Sequence, residues 1–304
     1  MSVDILIKKI KEKNNPTVAG LDPLLSYVPE HIINECFEEH GKNLSGAAAA
    51  IYKFNAALID ELSDVVAAVK LQSAYYELYG WRGVRVLDET IRYAKEKGLY
   101  VIADVKRNDI GSTAKAYAGA YLSGADVGGE VTPAFDADSV TVNGYLGTDG
   151  IAPFVEACRE HKKSIFVLVK TSNPSSGELQ DKKIGGDAVY EVMADMVNGW
   201  GEGLIGESGY SSVGAVVGAT YPEMQKILRA RMPRAYFLVP GYGAQGAGAA
   251  DIVNAFNKDG LGAVINSSRA IMCAYKKTGD AANFAKAARA EAERMRDEIT
   301  AAIG

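Results

Sequence analysis

The sequence predicts a single-domain α/β fold, the (β/α)8 TIM barrel, from three observations. Short apolar runs and helical patterns alternate along the 304 residues, the mark of parallel strands joined by crossover helices. The alternation repeats eight times, the number that closes such a barrel. Charged or polar residues interrupt the apolar runs only at their C-terminal ends, at Asp22, Lys70, Asp104, Lys106, Asn143, Lys170 and Arg269. In a barrel these ends converge on one mouth, where active sites lie. An open doubly wound sheet is the alternative. No linker, low-complexity segment or domain boundary divides residues 1–304.

The elements follow in order. Asp4 to Asn14 is an amphipathic helix, with Ile5, Ile7 and Ile10 set against lysines. Pro16 to Asp22 is the first strand and ends in an acid. Pro23 to Glu39 is loop and short helix. Gly46 to Leu62 carries Ile51, Phe54, Leu58 and Ile59 at helical spacing. Val65 to Gln72 is the second strand, and Val84 to Lys97 a helix closed by Gly98. Leu99 to Lys106 is the third strand. Gly111-Ser112-Thr113 turns into the helix Ala114 to Leu122, with Ser112 or Thr113 as its cap. Ser139 to Asn143 and Ser164 to Lys170 are strands four and five, with the helix Ile151 to His161 between them. A polar loop, Thr171 to Gly186, precedes the helix Ala188 to Trp200. Ser212 to Gly218 and Ala235 to Val239 are strands six and seven, separated by the helix Pro222 to Met232. Gly262 to Asn266 is the eighth, and Asp280 to Ile303 a long closing helix.

Composition narrows the function. The chain is 48% hydrophobic and 23% charged, enough to bury a large core. A net charge of −5 argues against a nucleic-acid binder. Cys36, Cys158 and Cys273 are few and far apart, which suits reduced thiols in a cytoplasmic protein. His31, His40 and His161 sit in polar, helical surroundings and read as surface residues. No apolar run reaches the roughly 18 residues of a membrane helix.

Asp104 and Lys106 are two apart on one strand and therefore share a face. Such a pair at the inner end of an apolar strand needs partners. Asp22, Lys70, Asp104 and Lys106 would face one cavity, with Asp109 near its rim. Ammonium groups alternating with carboxylates hold each other ionised and rigid. That suits a reaction that builds negative charge on carbon, because a fixed cation stabilises the developing carbanion without reorganisation. A structural ion-pair network is the other reading.

Gly241-x-Gly243-x-x-Gly246 follows a strand and opens a helix, the literal dinucleotide pattern. The next strand ends Asn266-Ser-Ser-Arg269, without the acid that would hold a ribose. The loops after strands seven and eight read better as a phosphate site. Gln245, backbone amides around Ser268, and the two-pronged guanidinium of Arg269 would meet the anion. Thr171-Ser-Asn-Pro-Ser-Ser-Gly177 is either a plain surface loop or a lid over the mouth that recognises a base.

Asp104-x-Lys106-x-x-Asp109-Ile110-x-x-Thr113 resembles the signature of the orotidine 5'-monophosphate decarboxylases. Gly20-Leu-Asp22, Val69-Lys70, Thr171-Ser172, Pro240-Gly-x-Gly-Ala-Gln-Gly246 and Arg269 follow that family's order, so the similarity spans roughly 16–275. Extra residues near 23–45, 175–187 and 201–211 make the chain similar to the long-chain subgroup. The resemblance implies a homodimeric barrel that converts orotidine 5'-monophosphate to uridine 5'-monophosphate without metal or organic cofactor. It implies Lys106 as proton donor, with Asp104 beside the leaving carboxylate. It assigns Lys70 and Asp22 to the ribose and the charged array, Ser172 to the pyrimidine, and Gln245 and Arg269 to the phosphate. Asp109, Ile110 and Thr113 would reach the neighbouring subunit's site. One departure is Ser268, where family members often have glycine. Three rivals stay open: a Mg²⁺-dependent sugar-phosphate enzyme, an NADP-dependent oxidoreductase, and a catalytically silent nucleotide-binding barrel.

Overall fold

The computed structural model describes residues 1–243 and 246–304. Strand β1 (Thr17–Leu21), β2 (Ala68–Gln72) and β3 (Tyr100–Arg107) open the chain's sheet. A short antiparallel ribbon, β4 (Ala125–Val127) with β5 (Glu130–Thr132), follows. Then come β6 (Ser139–Val142), β7 (Ser164–Lys170) and a second ribbon, β8 (Lys183–Ile184) with β9 (Asp187–Ala188). Strands β10 (Ser211–Val217), β11 (Ala235–Pro240) and β12 (Ala263–Ser267) complete the set. Eight of these close a parallel barrel in the order β1-β12-β11-β10-β7-β6-β3-β2. The eight-stranded barrel is thus the fold the alternation predicts.

Both faces of the barrel strands are buried, which explains their near-continuous apolar runs. One face of each packs outward against the helices, as Ala19, Val69, Val101 and Val167 do. The other face fills the interior with Val18, Ala68, Ile102, Phe166, Val216, Leu238 and Val264. The amphipathic helix Ser2–Lys13 closes the floor by adding Val3, Leu6, Ile7 and Ile10 to that interior. Beside the floor, Arg229 is buried, and among the described residues no carboxylate pairs with its guanidinium. It donates to the carbonyls of Met232, Ala235 and Gly262 at 3.0, 2.9 and 3.1 Å and lies 3.6 Å over the Phe237 ring.

Several local expectations shift. The helix after β3 begins at Gly111 with Ile110 as N-cap, so neither Ser112 nor Thr113 caps it. It ends at Ala118 and widens into a π-turn, Gly119–Ser123. The closing helix begins at Phe284, after an Asp280 side chain that takes the Asn283 amide. Neither ribbon carries a periodic apolar pattern, and neither is expected from the sequence.

Candidate active site

The strand ends bring Asp22, Lys70, Asp104 and Lys106 into one chain of contacts. Lys70 Nζ lies 3.0 Å from an oxygen of Asp22 and 3.0 Å from an oxygen of Asp104. Lys106 Nζ lies 2.6 Å from the other oxygen of Asp104. The strand register explains the meeting: Gly20 pairs with Lys70 and Gln72 with Asp104, so successive side chains stack around the mouth. Lys70 is the most deeply buried member, its side chain 4% exposed, and exposure rises from it to 10% for Asp104 and 43% for Lys106.

Lys106 departs from ordinary strand geometry. Between Ala103 and Arg107 the register of β3 on β6 shifts, and Lys106 has φ of 48°. A side-chain-bearing residue in that region carries strain, which the surroundings must hold in place. Thr141 does so, accepting the Lys106 amide at 3.0 Å and donating to Asp104 at 2.8 Å.

The two inner members, Lys70 and Asp104, are each held in the charged form by their neighbours. Burial alone would raise Asp104, but the ammonium groups of Lys70 and Lys106 outweigh it and hold the carboxyl well below the usual range. Burial would lower Lys70, but Asp104 and Asp22 hold it above an ordinary lysine.

Three members of the site escape a reading based on charge. Gln72 donates to Asp104 at 3.2 Å through its side chain and to Asp22 at 3.2 Å through its amide. Thr141 is the second. Both lie on the inner face by strand alternation, which would have found them. The third is the Ser268 hydroxyl, which donates to Asp22 at 2.6 Å. A Cβ on Gly20 would stand 1.9 Å from that hydroxyl oxygen, so the serine fits only because residue 20 is glycine. Ser268 therefore joins the charged array through its side chain, a use not foreseen for it.

The remaining expected residues stand apart from this array. Arg269 is exposed and begins the four-residue helix Arg269–Met272 after β12. Gln245 lies outside the described residues. Ser172 follows β7, and its carbonyl accepts from Thr220 Oγ1 at 3.4 Å. Beyond β3, Asp109 is half-buried and takes the Ile110 amide at 2.8 Å, while Ile110 and Thr113 are exposed. Lys170 has left the mouth. The register of β7 on β10 slips between Val216 and Val217, setting Lys170 opposite an outward-packed residue. Asn143 accepts the Tyr145 amide and shapes its own loop. His31, His40 and His161 are exposed, and the three cysteines are free thiols. Among the described residues, no cluster of three or more His, Cys, Asp or Glu could hold a metal ion, and no helix is long and apolar enough to cross a membrane.

Comparison with known proteins follows the same lines. A family model described as "Orotidine 5'-phosphate decarboxylase / HUMPS family" matches residues 49–284. A Caldicellulosiruptor bescii protein named orotidine 5'-phosphate decarboxylase is 41% identical over 300 residues, covering 99% of this chain and 98% of that protein. A Clostridium tetani protein of the same name is 41% identical over 304 residues, covering 100% and 99%. The solved structure of Leishmania donovani OMP decarboxylase matches with a TM-score of 0.75 at 30% identity, covering 99% of this chain and 98% of that one. With a matching family model, full-length relatives and the same barrel, the chain belongs to the orotidine 5'-phosphate decarboxylase / HUMPS family.

Proposed function

We propose that Lys106 is the group on which this chain's reaction turns, the decarboxylation of orotidine 5'-monophosphate to uridine 5'-monophosphate in pyrimidine biosynthesis. The observation that carries this is the alternating array Asp22–Lys70–Asp104–Lys106, with its outermost ammonium open to the mouth. The C6–carboxylate bond breaks, carbon dioxide leaves, and the electron pair stays on C6 in an orbital the ring cannot delocalise. The Lys106 ammonium stabilises that carbanion and then gives it a proton, forming the C6–H bond. Its attraction grows as charge develops, so it accelerates the chemical step. Asp104 and Thr141 aim the ammonium. Asp104 also lies beside the leaving carboxylate, a lesser contribution.

The other roles are those the family resemblance implies. Lys70 and Asp22 contact the ribose, and Ser172 reads the pyrimidine. Arg269 and Gln245 take the phosphate, with the amides near Ser268. The chain works as a homodimer in the cytoplasm, and Asp109, Ile110 and Thr113 complete the partner's site. The surface beside them supports this reading. Ile110, Tyr145 and Leu146 are exposed at 57%, 77% and 48%, an apolar patch suited to a second copy. Leu146 and Asp109 both flank Gly150.

The test is to follow the absorbance loss of orotidine 5'-monophosphate in excess EDTA. Turnover is expected without added metal; dependence on Mg²⁺ would favour a sugar-phosphate enzyme instead. For the dimer, inactive Lys106→Ala and Asp109→Ala chains are unfolded together and refolded. A shared site recovers roughly a quarter of the activity, since half the dimers are mixed and half their sites intact. Sites built within one chain recover nothing.

A further inference from the structure

Lys170 ends β7, and its side chain is 0% exposed. The mouth does not use it. Its ammonium instead donates to Asp181 at 2.7 Å and to the Ser176 hydroxyl at 3.1 Å. The rings of Tyr221 and Tyr190 lie 4.7 and 5.7 Å from the ammonium. Ser176 and Asp181 both belong to the loop that begins with Thr171 and Ser172.

The same loop is tied a second time at its base. Gln180 takes the Thr171 amide at 3.0 Å and donates to the Thr171 hydroxyl at 2.8 Å. Ser172 itself is seated on the end of β10, where a Cβ on Gly218 would stand 2.9 Å from its Cα and Cβ. The two ties and this seat leave Ser172 little freedom.

The charges in the first tie are unequal. The Asp181 side chain is 40% exposed and keeps water when unpaired, whereas Lys170 has none. Opening the loop would strand a buried ammonium, a heavily disfavoured state.

We propose that Lys170 is a positioning residue for the decarboxylation, its pairing with Asp181 holding the Thr171–Asp181 loop in the shape that presents Ser172 to the pyrimidine ring. This rests on the decarboxylase reading, in which Ser172 faces the ring. The buried cation makes the loop a preset part of the site, shaped before the nucleotide arrives. Because the tie acts on ring recognition, its loss must be felt by a nucleotide and not by its sugar phosphate.

Two variants test this, Asp181→Leu and the double variant Lys170→Met/Asp181→Leu, each measured without substrate and with two probes. The single variant strands the ammonium; the double one replaces the pair with apolar side chains, which buried sites tolerate. In Asp181→Leu, amide hydrogen exchange across 171–181 should quicken at least about tenfold. Affinity for uridine 5'-monophosphate should fall by a similar factor, while affinity for ribose 5-phosphate stays within about twofold. The double variant should recover exchange and nucleotide affinity to within about threefold of the unaltered chain. Unchanged exchange in Asp181→Leu would overturn the proposal, as would a double variant as impaired as the single one. A loosened loop with both probes weakened alike, or neither weakened, would also overturn it. Absence of turnover by the unaltered chain is a failure of the decarboxylase reading, and the exchange measurement still decides whether the pair holds the loop.

Discussion

Arg229 beside the barrel floor and Lys70 at the mouth are both buried cations, held in opposite ways. Arg229 spreads its donors over neutral carbonyls, and burial pushes its pKa down to about 10. Lys70 sits between two carboxylates that raise it. The first arrangement staples the floor of β11 and β12 together and projects little field. The second belongs to an alternating array that ends in an exposed ammonium. One end of the barrel spends a charge on cohesion, the other on a preorganised electrostatic site.

The sharpest way to break this contrast is Lys106→Ala. Turnover should fall at least about a thousandfold, with the melting temperature close to that of the unaltered chain because the side chain is 43% exposed. Steady-state assay beside calorimetry decides it, and a stable variant with near-normal turnover would remove Lys106 from the chemistry.

Next come Lys70→Met and Arg229→Met as a pair. The first leaves Asp22 and Asp104 facing each other, which should lower stability by about 3–5 kcal/mol and weaken catalysis. The second orphans the floor carbonyls at about 1–3 kcal/mol each, with kcat/KM unchanged in the folded fraction. Urea titration and kinetics on both variants measure the two effects. Equal damage to catalysis would mean that floor and mouth are not separate in role.

A smaller effect is expected at Arg269. Arg269→Ala should reduce kcat/KM for the nucleotide by about 1.5–3 kcal/mol, the range of one hydrogen bond to a charged group. It should scarcely alter turnover of the phosphate-free nucleoside. Comparable losses for both substrates would make Arg269 structural.

The smallest concerns acid. Asp104 is lowered in the folded chain, so its contribution to stability is complete above the unfolded value near 3.8 and fades as pH falls below it. Asp104→Asn should therefore flatten the fall in stability between about pH 4 and pH 3. Denaturation midpoints at successive pH values give the slope, and an unchanged slope would show that Asp104 is not held charged by its neighbours.

The barrel and the array were legible because two simple signals coincide: apolar strands of predictable length, and charges confined to their ends. Asp22, Lys70, Asp104 and Lys106 follow from those signals. Gln72 and Thr141 are neutral, so only strand alternation marks them. The bond from Ser268 to Asp22 depends on how β12 closes against β1, a contact between residues 246 positions apart. Lys170 obeys the charge pattern yet leaves the mouth, because a register slip between β7 and β10 has no local signature. The ribbons at 125–132 and 183–188 are too short for periodicity to show.

On the proposal that Lys106 gives the proton, the exposure of its ammonium also fixes where the product's new hydrogen originates. Between turnovers its three protons exchange with bulk water, so the atom placed on C6 is the solvent's. In heavy water the uridine 5'-monophosphate formed should carry deuterium at C6 and nowhere else on the ring. In mixed light and heavy water, the hydrogen-to-deuterium ratio at C6 records how a rotating –NH3⁺ chooses among its own isotopes, independently of how fast the enzyme turns over.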